Sequence, residues 1–156
     1  MAVEIFKTKD KGWGVRSLHD VKKGEFVCEY VGEVLTEGEA EKRATKYDNQ
    51  RQSYLFDLLG ENSMYTLDAK HYGNFSRYIN HSCDANLSIY ECYIDNSTEY
   101  LPIICMFASR DIPAFEELSI NYNYSSDNPS TPKKGGANTK IICKCGKPNC
   151  KKILWC

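Results

Sequence analysis

Three cysteines near the C-terminus, in Cys143-Lys144-Cys145-Gly146-Lys147-Pro148-Asn149-Cys150, are spaced C-x-C-x4-C. A structural zinc takes four ligands in a tetrahedron, with sulfur at about 2.3 Å. Three local thiols are one short, so a fourth ligand has to come from a distant part of the chain. Cys83, in Asn80-His81-Ser82-Cys83, is the candidate, about sixty residues earlier. Closing that site ties the tail over the middle of the chain and encloses a pocket. A redox cluster is the alternative for such thiols, but this spacing with a distant partner favours metal.

The remaining cysteines read differently. Cys28, Cys92 and Cys105 sit inside apolar runs and read as small buried hydrophobes, and Cys156 as a free terminal thiol. The 156 residues suit one domain, long enough to bury a core without disulfides. No apolar run approaches membrane-spanning length, and Met1-Ala2-Val3-Glu4-Ile5 lacks the order of a signal peptide. A net charge of −1 argues against a nucleic-acid binder with a basic face.

Val15–Leu18 and Glu25–Tyr30 read as strands joined by a turn at Lys22-Lys23-Gly24. Thr36 and Glu39 form a capping box that opens a polar helix through about Tyr47. Tyr54–Leu58 and Met64–Asp68 read as a hairpin around Gly60-Glu61-Asn62. Asn86–Ile94, Leu101–Ser109 and Glu117–Tyr122 are further strands; the second is apolar on both faces and should be central. Residues 125–139 hold no large apolar anchor and read as a flexible linker. Short strands, one or two helices and regular turns predict a mostly-β domain.

Four segments fall in order: Gly12-Trp13-Gly14-Val15, Tyr30-Val31-Gly32-Glu33, Arg77-Tyr78-Ile79-Asn80-His81-Ser82-Cys83, and Glu117-Leu118-Ser119-Ile120-Asn121-Tyr122, followed by the cysteine tail. Together they resemble the SET-domain protein lysine methyltransferases over residues 5–155. Ile94-Asp95-Asn96 with Leu101-Pro102, and Tyr54-Leu55-Phe56-Asp57, look like the suppressor-of-variegation class, which methylates lysine 9 of histone H3. The resemblance implies a SET fold of small curved sheets, with a C-terminal pseudoknot and a zinc-binding tail. It divides the chain into a SET domain (1–124), the linker (125–139) and a post-SET segment (140–156). It implies S-adenosylmethionine as methyl donor and a structural zinc on Cys83, Cys143, Cys145 and Cys150. It also implies a histone H3 tail bound as an added strand in a groove bordered by the cysteine segment, a monomer, and a place in the nucleus on chromatin, with no sequence-specific nucleic-acid binding and no membrane.

The chemistry sets the roles. Methyl transfer is an in-line attack by a neutral amine on a carbon attached to a sulfonium. Free lysine, with a pKa near 10.4, is neutral in roughly one molecule in two thousand at pH 7. Burial and a nearby cation lower that pKa, and what remains is to orient the lone pair. By resemblance the orienting hydroxyl is Tyr122, with Tyr30 as a second polar wall; packing in the core is the plainer reading of either. Ile120 and Phe56 line the lysine channel. Lys11, Gly12, Trp13, Tyr54, Arg77, Asn80, His81 and Trp155 make the donor site, with the glycines beside Trp13 letting backbone approach the ligand. His81 is assigned to structure and donor contact rather than to base catalysis.

Two departures stand out. Ile120 replaces the Phe or Tyr usual in the family; without a hydroxyl it cannot hold a water that blocks further methylation, which predicts di- or trimethylation. A cysteine-rich module ahead of the SET segments, common in this class, is not found: only Cys28 precedes Cys83. The rival readings are a methyltransferase for another lysine, an inactive SET fold that binds peptide, and a zinc module that recruits a partner.

Overall fold

The computed structural model describes residues 1–50, 53–58, 65–94, 101–122 and 140–155. The linker expected at 125–139, the hairpin turn at Gly60-Glu61-Asn62, Met64 and Cys156 lie outside the described residues.

The chain opens with an antiparallel hairpin, β1 (Val3–Lys7) and β2 (Trp13–Ser17). Its turn is closed by the Thr8 N–H and hydroxyl, which donate to the Gly12 carbonyl at 2.7 and 3.0 Å. Gly12 has φ +78°, a conformation that favours glycine. Then come β3 (Phe26–Tyr30), β4 (Glu33–Thr36), α1 (Glu37–Gln50), β5 (Leu55–Asp57) and β6 (Tyr65–Asp68). A 3-10 turn (Phe75–Tyr78) leads into β7 (Asn80–His81), β8 (Leu87–Cys92), β9 (Ile103–Ala108) and β10 (Ser119–Ile120). The tail supplies β11 (Lys140–Ile142) and β12 (Ile153–Trp155).

These strands form small sheets rather than one large one. Two have three strands, in the orders β3-β9-β8 and β4-β6-β5; β1-β2, β7-β10 and β11-β12 are pairs. The strand apolar on both faces, β9, lies at the centre of its sheet as expected. The two strands flanking the Lys22–Gly24 turn both form, but not with each other: β2 pairs with β1, and β3 with β9. What sends them apart is a bridge between Val21 and Ile112, both almost fully buried, which anchors the connection instead of letting it fold back. β1 was not legible as a strand because its residues are half-buried or exposed on both sides.

The reciprocal half of the expected capping box forms: Glu39 Oε2 accepts from the Thr36 N–H at 3.1 Å, and the Thr36 hydroxyl donates to the same oxygen at 2.8 Å. The helix runs to Gln50, three residues beyond the expected end at Tyr47. Ala40, Arg43 and Tyr47 share one face by their spacing. Arg43 donates at 2.7 Å to Glu33 and to Asp68, and the Tyr47 hydroxyl donates to Asp68 at 2.7 Å. Asp68 is 1% exposed, so the helix docks through a buried carboxylate as well as apolar contact. The main core is built on Val15, Ile104, Met106, Ile112 and Leu118. Cys28 is buried in it and Cys105 is buried in β9, as expected; Cys92 is only partly buried, a correction that follows from its place at the end of β8, an edge strand of its sheet among the described residues.

Candidate active site and metal centre

β7 and β10, about forty residues apart, lie side by side in parallel, with Asn80 opposite Ser119 and His81 opposite Ile120. The Ser82 N–H extends the pairing to the Ile120 carbonyl at 2.9 Å. Asn86, 1% exposed, stitches the same region: its Oδ1 accepts from Ser119 N–H at 2.8 Å, and its Nδ2 donates to the Glu117 carbonyl at 2.9 Å. The segment Asn80–Cys83 thus meets the segment Glu117–Tyr122 along its length.

At one end of this junction sit the four predicted thiols. The sulfurs of Cys83, Cys143, Cys145 and Cys150 all lie within 4.8 Å of one another. Cys83 and Cys143 are 3.8 Å apart, and a tetrahedron with bonds of about 2.3 Å has edges of about 3.8 Å. Backbone N–H groups of Lys151 and Lys152 point at the sulfurs of Cys83 and Cys150, both at 3.4 Å. Gly146, at φ +68°, makes the tight bend after Cys145. Burial raises the thiol pKa of Cys83 and pushes that of Cys143 up to about 12. At Cys145 burial is outweighed by hydrogen bonds from the backbone of Cys83 and Lys147 and from its neighbour thiols, bringing it down to about 6. Four soft, converging sulfurs fit a structural zinc.

At the other end are the tyrosines. Tyr122 OH donates to the Ile79 carbonyl at 3.0 Å, and Tyr30 OH to the Tyr54 carbonyl at 2.8 Å. A hydroxyl that donates to a carbonyl still has lone pairs with which to accept an N–H. Tyr122 is 41% exposed as a whole residue, but desolvation at its hydroxyl, followed by the charge of Tyr54, pushes it up to about 12; desolvation, followed by Tyr122, also raises Tyr30. Both stay protonated at neutral pH, so neither acts as a phenolate base. Phe56 packs against Tyr30 with ring centres 5.2 Å apart. Ile120 is 3% exposed.

The predicted donor residues fall into two groups. Arg77 lies over the Tyr54 ring at 4.4 Å, and its Nε is buried without a partner among the described residues. Such an orphaned donor beside an aromatic ring fits an anionic or carbonyl group of a ligand. In the second group, Asn80 Nδ2 donates to the Trp13 carbonyl at 2.8 Å and to Glu117 Oε1 at 2.9 Å. Lys11 holds both Glu117 oxygens, at 2.8 and 2.7 Å. Trp13 is 53% exposed, and a side chain built at Gly12 would enter open space, so this turn stands at the surface. Gly14 differs from expectation: a Cβ there would meet Thr8, Glu117 and Asn80, so its bareness serves packing against protein. Trp155 closes β12 opposite Lys140; its side chain lies outside the described residues.

His81 joins the two ends. Its Nδ1 accepts from the Tyr122 N–H at 3.1 Å and its Nε2 lies 3.3 Å from the Cys83 sulfur. With both ring nitrogens engaged it has none left to act as a base. Glu117 and Asn86 were missed as site residues. Glu117 was visible only as part of a motif frame, and Asn86 had no local signal.

Comparison with known proteins agrees with this geometry. The SET domain family matches residues 12–123. Over 97% of its length the chain is 44% identical to the histone-lysine N-methyltransferases Su(var)3-9 of Drosophila melanogaster and SUV39H1 of Xenopus laevis. It spans only 24% and 39% of those proteins. The crystal structure of Arabidopsis thaliana SUVH6 in complex with SAM is similar with a TM-score of 0.80 at 37% identity, over 99% of this chain and 33% of that one. KRYPTONITE, crystallised in complex with mCHG DNA and SAH, gives 0.77 at 32% identity, over 97% and 28%. Sharing that family's match over most of its length and its fold throughout, the chain belongs to the SET-domain family.

Proposed function

We propose that the protein is an S-adenosylmethionine-dependent lysine methyltransferase acting on the histone H3 tail at lysine 9. The observation that carries this reading is the pair of protonated tyrosines, Tyr122 and Tyr30, each donating to a backbone carbonyl. Oriented this way, they can accept from an amine N–H and aim its lone pair. The 44% identity to histone-lysine methyltransferases supports the substrate class.

When bound, S-adenosylmethionine supplies a methyl group on a sulfonium. Arg77, Tyr54 and the Lys11–Trp13 turn would hold the donor, with the Oδ1 of Asn80, whose amide hydrogens are taken by Trp13 and Glu117. Phe56, Ile120 and the tyrosine rings form apolar walls around the lysine, and desolvation there favours the neutral amine. Zinc on Cys83, Cys143, Cys145 and Cys150 would fix the post-SET segment (140–156) against the SET domain (1–124). β5 is an edge strand of its sheet among the described residues, and an extended histone segment can pair with it. Ile120 brings no hydroxyl into the channel, which supports di- or trimethylation. We place the protein on chromatin in the nucleus, as a monomer that does not itself read DNA sequence.

The test is methyl transfer from labelled S-adenosylmethionine to recombinant histones. Tyr122→Phe should lower kcat by about 100-fold or more, the loss of one orienting group. Label on H3, abolished at lysine 9 by substituting that lysine, supports the reading. Donor binding with no transfer to any histone would sink it in favour of another substrate or a peptide-binding role.

A further inference from the structure

His81 is held from both sides in a way that fixes its proton. A backbone N–H can only donate, so the nitrogen facing Tyr122 N, Nδ1 at 3.1 Å, is the unprotonated one. The ring proton is therefore on Nε2, which faces the Cys83 sulfur at 3.3 Å. The side chain cannot easily adopt another arrangement. The residue is 8% exposed, its ring centre is 5.4 Å from that of Tyr122, and its backbone is locked opposite Ile120 in the parallel pair.

We propose that His81 is a positioning residue that couples occupancy of the four-cysteine site to the placement of Tyr122. A metal-bound thiolate is a stronger acceptor than a free thiol, so a filled site holds the Nε2–H tautomer in place. That tautomer keeps Nδ1 free to accept from the Tyr122 N–H, and the anchored backbone sets where the Tyr122 ring and hydroxyl stand. Hydrogen bonds from outside the ligand set orient metal ligands, and losing one costs about 10- to 100-fold in metal affinity or activity. Here the imidazole would carry the constraint in both directions. Its consequence for catalysis rests on the methyltransferase reading of Tyr122; the link from metal to Tyr122 does not.

The test uses the whole chain and has readouts that need neither donor nor histone. In protein exchanged with cadmium-113, NMR should show an unprotonated Nδ1, a protonated Nε2, and a scalar coupling from the Nε2 proton to the metal across the Cys83 sulfur. A protonated Nδ1, or no coupling, overturns the proposal even if no variant folds. Two substitutions separate the arms. His81→Asn places an acceptor near Nδ1 but does not reach the sulfur, and should speed zinc loss to a chromophoric chelator about 10- to 100-fold. His81→Gln reaches the sulfur but loses the acceptor; it should hold zinc within a few-fold of wild type while kcat falls about 10- to 100-fold with little change in peptide KM. Equal effects of both variants on both readouts would mean a merely structural histidine and overturn the proposal. Metal coupling and slow zinc loss in a protein that transfers no methyl group would uphold the link and sink the methyltransferase reading alone.

Discussion

Gly14→Ala tests how the turn that borders the proposed donor site is held. A Cβ built at this position would stand 2.8 Å from Thr8 Cγ2, 3.1 Å from Glu117 Oε1 and 3.3 Å from Asn80 Nδ2. The first distance is too short for carbon against carbon, so something has to shift. Thr8 cannot swing away freely, because its hydroxyl donates to the Gly12 carbonyl and accepts from Lys11 N–H at 2.9 Å. Asn80 and Glu117 are similarly tied, to the Trp13 carbonyl and to Lys11. Overpacking of this kind costs about 1–3 kcal/mol. For a chain of this size that lowers Tm by about 2–12 °C. Where the strain moves the Lys11–Trp13 turn, it also weakens donor binding, by about 5- to 150-fold for the same energy. Thr8→Ser removes only the offending methyl and keeps the hydroxyl. The double variant Thr8→Ser/Gly14→Ala should therefore regain part of both losses, leaving two contacts that need give by only a few tenths of an ångström. Differential scanning calorimetry and titration of S-adenosylmethionine measure the two effects. Wild-type melting and binding in Gly14→Ala, or no rescue by the serine, would refute the packing argument.

Asp68→Ala should cost about 1–3 kcal/mol in urea unfolding, because it removes the buried carboxylate that accepts from the Tyr47 hydroxyl and from Arg43, which keeps Glu33 as a partner. Desolvation raises the Asp68 pKa, but hydrogen bonds from Arg43, Tyr47 and the Lys70 N–H outweigh it and leave it below the usual value. Its contribution is thus complete above the unfolded-state pKa near 4, and the gap between wild type and variant should narrow as pH falls through the lower folded value. A gap that stayed constant to pH 2 would show the carboxylate is not what matters. Ile120→Tyr should shift a saturated peptide reaction toward monomethyl product, read by mass spectrometry; undiminished trimethylation would remove Ile120 from the channel. Chelation of the metal should expose residues 140–155 to hydrogen exchange, since the sulfurs of Cys143, Cys145 and Cys150 converge with that of Cys83 and would share one metal with it. Unchanged protection would show that the tail is held by other contacts.

Which of these features the sequence reveals follows from how far each interaction reaches. The cap at Thr36 is local, three residues from its partner Glu39, so its pattern is complete within one turn of chain. Cys83 is distant but countable: three thiols at metal spacing demand a fourth, and few residues qualify. β9 announces itself because burial on both faces leaves no polar alternation. Strand pairing is different. The segments around Lys22–Gly24 carry strand signals whether or not they pair, and the Val21–Ile112 bridge that separates them joins residues about ninety positions apart. Buried polar residues were harder still. Asp68 and Asn86 look like surface residues in sequence, and only the assembled partners, Arg43 among them, explain their burial.

The segment Asn80–Cys83 explains why so much of the site depends on so little chain. Side chains alternate along an extended strand. Here the Asn80 amide reaches the Trp13 turn and Glu117 on one side. His81 takes the Tyr122 backbone, and Cys83 takes the metal cluster. Between them the Ser82 N–H holds the Ile120 carbonyl. Four consecutive residues thus fix the Lys11–Trp13 turn, Ile120, Tyr122 and the tail, the parts to which the proposed function gives donor binding, channel and amine orientation. A shift of one residue in the β7–β10 register would move all four at once, since each contact is made to a partner anchored elsewhere. Asn86 guards that register, with its amide accepting from Ser119 N–H and donating to the Glu117 carbonyl. Asn86→Ala would leave both backbone groups without these partners in the interior, at a cost of about 1–3 kcal/mol each. It should therefore impair donor binding and zinc retention together, although Asn86 bonds to neither the Lys11–Trp13 turn nor a cysteine and acts through Glu117 and Ser119. Independent loss of one without the other, measured by titration and by chelator challenge, would show that the register is held by the backbone pairing alone.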